Sequence, residues 1–132
     1  MNVLAISTAG VVYFVLGGLW FSPPLFGRHW DRAIGFARPA AWKPGMMFYL
    51  GPLLGCVVAS LAMAMLMRWV QPATWQDAVG LGLVVGIGYG GVITGVNAIS
   101  PTLPRPGLYT AVTGSYHVIG ITAAAAILYA WP

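Results

Sequence analysis

The stretch PGMMFYLGPLLGCVVASLAMAMLM, residues 44–67, contains no charged side chain. Because an α-helix rises about 1.5 Å per residue, roughly 20 apolar residues cross the hydrocarbon core of a bilayer. Three further uncharged runs of at least this length flank it, at residues 1–27, 78–104 and 106–132. Trimmed at proline, tryptophan and charged positions, the four runs predict membrane-spanning helices at residues 3–21, 45–68, 77–99 and 108–131.

The predicted fold is all-α, a polytopic integral membrane bundle of four transmembrane helices in a single domain over residues 1–132. The chain is 59% hydrophobic and only 6% charged, whereas soluble domains contain roughly 25% charged residues. This composition excludes an ordinary soluble globule and makes the lipid bilayer a predicted partner. Nucleic acid is not a predicted partner, because nucleic-acid-binding proteins cluster basic residues on one face.

The basic residues predict the orientation of the chain. Five of the six lie in the first and third loops, and one lies near the second loop; they are Arg28, Arg32, Arg38, Lys43 and Arg105, against Arg68. Cytoplasmic loops carry an excess of Lys and Arg. We therefore expect the first and third loops to be cytoplasmic and both termini to be outside, in a bacterial inner (plasma) membrane.

The first loop has a helical pattern of its own. Phe26, Trp30, Ala33 and Ala37 recur at helical spacing, which predicts a short interfacial helix after the first span. We expect the prolines at positions 23, 24, 39 and 44 to bound this helix, because proline terminates helices. The alternative is a solvated irregular loop.

Glycines spaced four apart predict close helix packing. Small residues at positions i and i+4 let two helices approach closely in a membrane, where lipid tails are as apolar as leucine. The predicted packing residues are Gly51, Gly55, Gly82, Gly86, Gly90, Gly91, Gly95, Gly114 and Gly120. These faces pack either entirely within one protomer or partly in a homo-oligomer interface.

His117 is the one titratable group predicted near the bilayer centre, about 14 Å from the cytoplasmic boundary by helical rise. It shares a small-residue face with Gly114 and Gly120, and we expect that face to point inward. Tyr13, Tyr89 and Cys56 are predicted at a similar depth as its hydrogen-bond partners. The expected state is a neutral imidazole paired with a tyrosine hydroxyl.

Three roles stay open for His117: a structural histidine that sets helix register, a solute or proton site, and a haem or metal ligand. A single histidine is too few for a metal, since even open catalytic zinc sites take three protein ligands, so no metal site is predicted. Asn97 is a further candidate ligand-binding residue near the cytoplasmic end of the third span, with interhelical adhesion as its alternative role. No catalytic motif is present, so no catalytic residue is predicted.

Two motifs carry a family resemblance. The segment WFSPPLFGRHW, residues 20–30, and the segment GSYH, residues 114–117, resemble the W-Y-S-P-x-x-F-G-K-x-W and G-Y-H motifs of the domain-of-unknown-function 1761 family of small four-span membrane proteins. The matching residues are Trp20, Ser22, Pro23, Phe26, Gly27, Trp30, Tyr116 and His117. The chain departs from the family at Phe21, Ser115 and Tyr129. The resemblance implies the four-span architecture and assigns no activity.

Three functions follow from these observations as expectations. The first is a helical bundle that binds or passes a small solute or proton near His117, as a homo-oligomer. The second is a structural or accessory subunit that holds another membrane protein through its glycines. The third is a haem-binding or enzymatic membrane protein, with haem as the only cofactor considered.

Overall fold

The computed structural model describes residues 1–131, so the predicted domain extends beyond the described residues by Pro132 alone. The chain forms five helices, with no strand among the described residues: α1 Val3–Trp20, α2 Arg28–Ile34, α3 Met47–Val70, α4 Trp75–Ala98 and α5 Pro106–Ala130. The four long helices are long and apolar enough to cross a membrane. Their ends lie within two residues of the predicted spans. The all-α prediction is confirmed, and the chain is a membrane protein.

The start of α4 shows why one predicted boundary was displaced. Asp77 was expected to begin this helix, but the helix begins two residues earlier because Thr74 caps it. The Thr74 hydroxyl accepts a hydrogen bond from the Asp77 backbone N–H, and the Asp77 carboxylate accepts one from the Thr74 backbone N–H. This reciprocal arrangement is a capping box, which satisfies two backbone donors that the helix leaves unpaired. Asp77 is therefore a capping residue inside the first turn.

Helix α5 lies at the centre of the bundle, where it contacts α1, α3 and α4, and α1 also packs on α3. Successive long helices run in opposite directions. We call the end that holds Trp20, Met47 and Pro106 the basic end, because the first and third loops lie there. We call the opposite end, which holds Val3 and Ala130, the terminal end.

The packing of α4 on α5 runs through glycines. A Cβ atom added at Gly82 would lie 2.8 Å from the Thr122 Cα atom of α5. One added at Gly86 would lie 3.0 Å from the Val118 Cα atom of the same helix. At these positions the two backbones approach so closely that only glycine fits. By contrast, a Cβ at Gly51 or at Gly55 of α3 would meet no atom within 4 Å. The glycine pairs of α4 and α3 therefore differ, because only those of α4 pack within this chain.

Two π-helical turns interrupt the long helices at the same level. One spans Gly86–Gly91 in α4, and the other spans Thr110–Gly114 in α5. They face each other, since a Cβ at Gly114 would lie 3.6 Å from the Gly91 Cα. A constant period of 3.6 residues per turn does not predict these turns. Such turns in membrane-exposed chains leave backbone groups to be satisfied by other side chains, and they occur frequently at functional sites.

The predicted short helix in the first loop is confirmed as α2, but both of its predicted ends are wrong. Phe26 lies before the helix, in a separate π-helical turn, Pro23–Gly27. Gly35 ends the helix in the left-handed conformation, with φ of 70°, a conformation that glycine adopts at no steric cost. Ala37 therefore lies outside the helix, and Pro39 does not bound it. Ala33, on the predicted apolar face, is fully buried, and its carbonyl oxygen accepts a hydrogen bond from the Arg105 backbone N–H.

An ion pair braces the rest of this loop. The Arg38 guanidinium donates two hydrogen bonds to the Asp31 carboxylate, at 2.7 and 2.8 Å, and lies 4.7 Å from the Trp42 ring centroid. The hydrogen bond with Asp31 raises the pKa of Arg38 above its ordinary value. A bidentate pair of this kind fixes both side chains in one geometry, so the loop after α2 returns to the start of α3 along a defined path.

Candidate functional site

The candidate site is centred on His117 in the middle of α5. Its Nδ1 atom lies 2.6 Å from the Tyr13 Oη atom of α1, in a hydrogen bond whose donor depends on the imidazole tautomer. Tyr13 is buried, and its ring lies directly on Gly120. A Cβ at position 120 would overlap the Cδ2 and Cε2 atoms of that ring. Gly120 therefore provides the space in which Tyr13 reaches His117.

Tyr116, the residue before the histidine, extends the polar cluster toward α3. Its Oη atom donates to the Tyr13 carbonyl oxygen at 3.3 Å and lies 3.4 Å from the Cys56 Sγ atom. Both contacts are satisfied together when the Cys56 thiol donates to the Tyr116 oxygen. Gly17 makes room for this hydroxyl, because a Cβ there would lie 2.8 Å from it. Three helices thus meet in one connected set of polar groups, which we call the His–Tyr cluster: Tyr13, Cys56, Tyr116 and His117.

Aromatic residues connect the cluster to the basic end. The Phe21 ring lies 5.2 Å from the Tyr116 ring and 5.9 Å from the Trp30 ring, edge to face in both cases. Trp20 stacks near Phe26, with 4.5 Å between ring centroids. Such aromatic pairs contribute about 0.5–1.5 kcal/mol beyond their buried area. The first-span motif and the last-span motif are therefore in direct contact in the folded chain.

Trp20 also stabilises the π-helical turn of α5. Its indole Nε1–H donates to the Val112 carbonyl oxygen at 2.9 Å, and the Ser115 hydroxyl donates to the same oxygen at 3.2 Å. A widened helical turn needs such partners, because an unpaired carbonyl in a membrane costs free energy. This gives Trp20 a specific structural role.

The turn after α1 explains another residue of the first motif. The Ser22 carbonyl oxygen accepts hydrogen bonds from the backbone N–H groups of Leu25 and Gly27. A Cβ at Gly27 would overlap the Phe21 carbonyl oxygen and lie 2.8 Å from the Ser22 carbonyl carbon. Only glycine fits this tight turn. Its role is to allow the tight turn that joins the end of α1 to the start of α2.

Several residues that were predicted to share one site with His117 lie apart from it in the structure. Tyr89, a predicted partner of His117, is 66% exposed and makes no hydrogen bond to it, so this prediction is wrong. Asn97 is also exposed and lies outside the cluster. Cys56 contacts Tyr116 rather than His117. Similar depth along the helix axes does not specify which face of a helix a side chain occupies.

Two members of the arrangement were not assigned a site role from the sequence. Tyr116 was identified only through its motif, and Gly17 was not identified at all. The spacing of Gly17 could have indicated it, because Gly17 lies four residues after Tyr13 and therefore on the same face of α1.

Further polar groups of the bundle have no partner among the described residues. The Oγ atom of Ser60, one turn beyond Cys56 in α3, is completely buried and makes no hydrogen bond. The Oγ1 atom of Thr113, one turn before His117, is likewise buried and unpaired. The Nε2 atom of His117 makes no hydrogen bond to residues 1–131, and the ring is partly exposed. The region around the cluster therefore contains unused hydrogen-bonding capacity.

The positions of potential metal ligands and of the cavities limit what the site at His117 can hold. No group of three His, Cys, Asp or Glu side chains within residues 1–131 is arranged to bind a metal ion. A cavity of about 540 Å³ at the terminal end and a groove of about 300 Å³ beside α4 and α5 are both lined by residues other than His117. The chemistry that the cluster can perform is hydrogen bonding and proton exchange at the imidazole.

The chain was compared with known proteins. The sequence model of the family described as "Protein of unknown function (DUF1761)" matches residues 4–129. A search of curated proteins and a search of solved structures each found no match. Since the family match covers nearly the whole chain and includes both motifs that meet at the His–Tyr cluster, the chain belongs to the DUF1761 family.

Proposed function

We propose that this protein is a membrane helical bundle that binds or passes a proton, or a small polar solute, at His117. The observation that carries the proposal is the unequal use of the two imidazole nitrogens. Tyr13 occupies Nδ1 at 2.6 Å, whereas Nε2 has no partner among the described residues. An ionisable side chain placed within a membrane-spanning segment is costly, and it is by default a functional candidate.

The Tyr13 hydroxyl suits both protonation states of the ring. In the tautomer that carries its hydrogen on Nδ1, the ring donates to Tyr13 Oη and keeps the Nε2 lone pair available. When Nε2 takes up a proton, the Nδ1–H still donates to the same oxygen. The hydrogen bond is thus kept in both states, so Tyr13 can hold the ring in place while His117 exchanges a proton. Imidazole is the side chain best suited to such exchange near neutral pH.

Proton flux into liposomes containing the purified protein tests the proposal. A pH-sensitive dye inside the vesicles reports flux after a potassium diffusion potential is imposed. We expect His117→Asn to abolish flux while the bundle stays folded, because asparagine can hydrogen-bond but cannot titrate. Tyr89→Phe is the matched control, since Tyr89 is exposed and outside the cluster; it should leave flux unchanged.

A nitrogen-15 titration of the histidine rings extends the test to a solute other than the proton. In a His29→Asn background, the signal of His117 should shift when pH changes or when the transported solute is added. Absence of flux together with an unchanging His117 signal between about pH 4 and pH 9 would mean that the histidine only sets helix register. That result would refute the proposed function.

We also propose the orientation, with the first and third loops cytoplasmic and both termini outside. The support is the excess of basic residues at the basic end. In a Cys56→Ala background, a membrane-impermeant thiol reagent added to intact cells should label Gln76→Cys and spare Ala40→Cys, two exposed positions at opposite ends. The reverse labelling pattern would invert the proposed orientation.

One observation favours association of α3 with a second helix, either in the homo-oligomer expected with the first function or in the second function, an accessory subunit. Gly51 and Gly55 of α3 are exposed, and added Cβ atoms there would meet nothing in the chain. Two glycines four residues apart on a lipid-facing helix allow a second helix to approach closely. If this face binds a second helix, Gly55→Leu should reduce the mass of the detergent-solubilised assembly. Gly18→Leu, at a glycine of α1 that also faces open space, should leave the mass unchanged. Equal masses for wild type and Gly55→Leu would eliminate this function for α3.

A further inference from the structure

The cavity at the terminal end has apolar walls. It occupies about 540 Å³ between the beginning of α1, the end of α3 and the end of α5. Its inner wall is formed by Ala5, Ile6 and Leu128, which are buried in the bundle core, and its side wall by Ala64 and Met67. Sites for small molecules have volumes of roughly 300–1,000 Å³ and predominantly apolar linings. The size and lining suit an alkyl chain.

The rim of the same cavity carries one cationic side chain, in addition to the Met1 α-ammonium. Arg68, in the last turn of α3, lines the opening, and it forms no ion pair or hydrogen bond with residues 1–131. None of the lining residues among the described positions is acidic. The other polar lining groups already have partners, because the Asn2 side chain accepts from the Ala5 N–H and the Tyr129 hydroxyl donates to the Ala73 carbonyl oxygen. Among the lining side chains of residues 1–131, Arg68 is therefore the charged one that is left to meet a ligand.

The acidic residues of the protein cannot neutralise this arginine without giving up other roles. Asp77 lies at the same end, but its carboxylate accepts hydrogen bonds from the Thr74 backbone and hydroxyl groups. Asp31 lies at the basic end, where it pairs with Arg38. Neither aspartate of the chain thus pairs with Arg68 beside this cavity.

We propose that the terminal-end cavity binds an amphipathic anion, a molecule with an alkyl chain and a carboxylate or phosphate head. The chain fills the apolar interior, and the anionic head accepts hydrogen bonds from the Arg68 guanidinium at the opening. Arginine presents the planar donor pair that carboxylates and phosphates accept. The ligand is a free alkyl acid or an anionic phospholipid, which share this chemistry. This site is independent of the role proposed for His117.

Quenching of tryptophan fluorescence measures the binding directly, because Trp131 lines the cavity. The full chain in a non-ionic detergent is titrated with 11-bromoundecanoate and, in parallel, with 11-bromoundecanol. We expect the carboxylate to bind at least 10-fold more tightly than the alcohol. One charge-assisted hydrogen bond corresponds to about 1.5–3 kcal/mol, or roughly 10- to 100-fold in affinity. Trp131→Phe should remove most of the quenching and so locate the probe.

Variants separate the contribution of the charge from that of the cavity. Arg68→Gln should weaken carboxylate binding about 10-fold or more and leave alcohol binding unchanged, whereas Arg68→Lys should retain most of the preference. Ala64→Phe should weaken both probes by filling the cavity. Arg105→Gln, which removes an exposed charge at the opposite end, is the matched control and should have no effect. Circular dichroism verifies that each variant keeps its helical content.

Competition then identifies the source of the anionic head. Displacement of 11-bromoundecanoate by dioleoylphosphatidylglycerol, but not by dioleoylphosphatidylcholine, assigns the site to anionic phospholipid. Failure of both lipids to displace a tightly bound carboxylate assigns it to a free alkyl acid. Equal affinity for carboxylate and alcohol in the wild type, or carboxylate binding that survives Arg68→Gln unchanged, would overturn the proposal.

Discussion

Gly120→Ala is the sharpest test of the His–Tyr cluster, because one methyl group is enough to displace Tyr13. The added Cβ would overlap two atoms of the Tyr13 ring and lie 2.7 Å from a third, Cζ. Ordinary carbon–carbon contact requires about 3.5 Å, so the ring must move by more than about 1 Å. The hydroxyl would then leave His117, to which it is bonded at 2.6 Å.

The size of the effect follows from three contributions. Overpacking a filled core costs about 1–3 kcal/mol, and the lost interhelical hydrogen bond costs on average about 0.6 kcal/mol and at most about 1.7 kcal/mol. The better helix propensity of alanine offsets up to about 1 kcal/mol of this destabilisation. We therefore expect the free energy of unfolding to fall by about 1–3 kcal/mol. Gly18→Ala in α1, where an added Cβ meets nothing within 4 Å, should be neutral or slightly stabilising.

Equilibrium unfolding in mixed detergent–SDS micelles, followed by circular dichroism, measures both variants. A double-mutant cycle with Tyr13→Ala assigns the cost to the proposed contact, since removing the ring should make Gly120→Ala nearly harmless. The reasoning would be refuted if Gly120→Ala were as stable as Gly18→Ala. An equal loss of stability in the presence and absence of the Tyr13 ring would refute it as well.

Two further substitutions test other contacts in the same unfolding assay. Gly86→Leu should destabilise the bundle by more than about 1 kcal/mol, because a Cβ there already lies 3.0 Å from the α5 backbone. Gly88→Leu, in the same helix but facing open space, should have a mild effect on stability. Equal stability of the two variants would show that the close approach is unimportant. Trp20→Phe should cost about 1 kcal/mol, because it removes the indole N–H, one of the donors to the Val112 carbonyl oxygen. Trp69→Phe, which changes a 70% exposed ring, should cost little. No difference between the two variants would contradict the role assigned to Trp20.

The two motifs of the chain are best understood as one structural unit. Trp20 satisfies a carbonyl group of the π-helical turn in α5, and Phe21 packs on the ring of Tyr116. The residue after Tyr116 is the histidine of the candidate site. The end of the first span therefore positions the centre of the last span, although 92 residues separate Trp20 from Val112 in sequence.

The sequence alone was sufficient for the helices and for the membrane environment. Length and apolar composition are properties of each segment by itself, so the four long helices could be predicted to within two residues. The short helix α2 was also predictable from its spacing, and the inward position of Gly120 followed from its place on the face of His117. The spacing did not reveal the end of α2, because proline was assumed to terminate the helix where the left-handed Gly35 does so instead.

Only the tertiary structure decided which groups meet. Tyr13 and Tyr89 lie at similar predicted depths, yet one bonds His117 and the other is exposed. The difference arises from the rotation and lateral position of each helix, which depend on how all the helices pack together. The π-helical turns change the phase of α4 near its middle and of α5 near its beginning, so a constant helical period places their side chains incorrectly. Hydropathy reports the environment of a segment, whereas partner choice depends on close packing between segments distant in sequence.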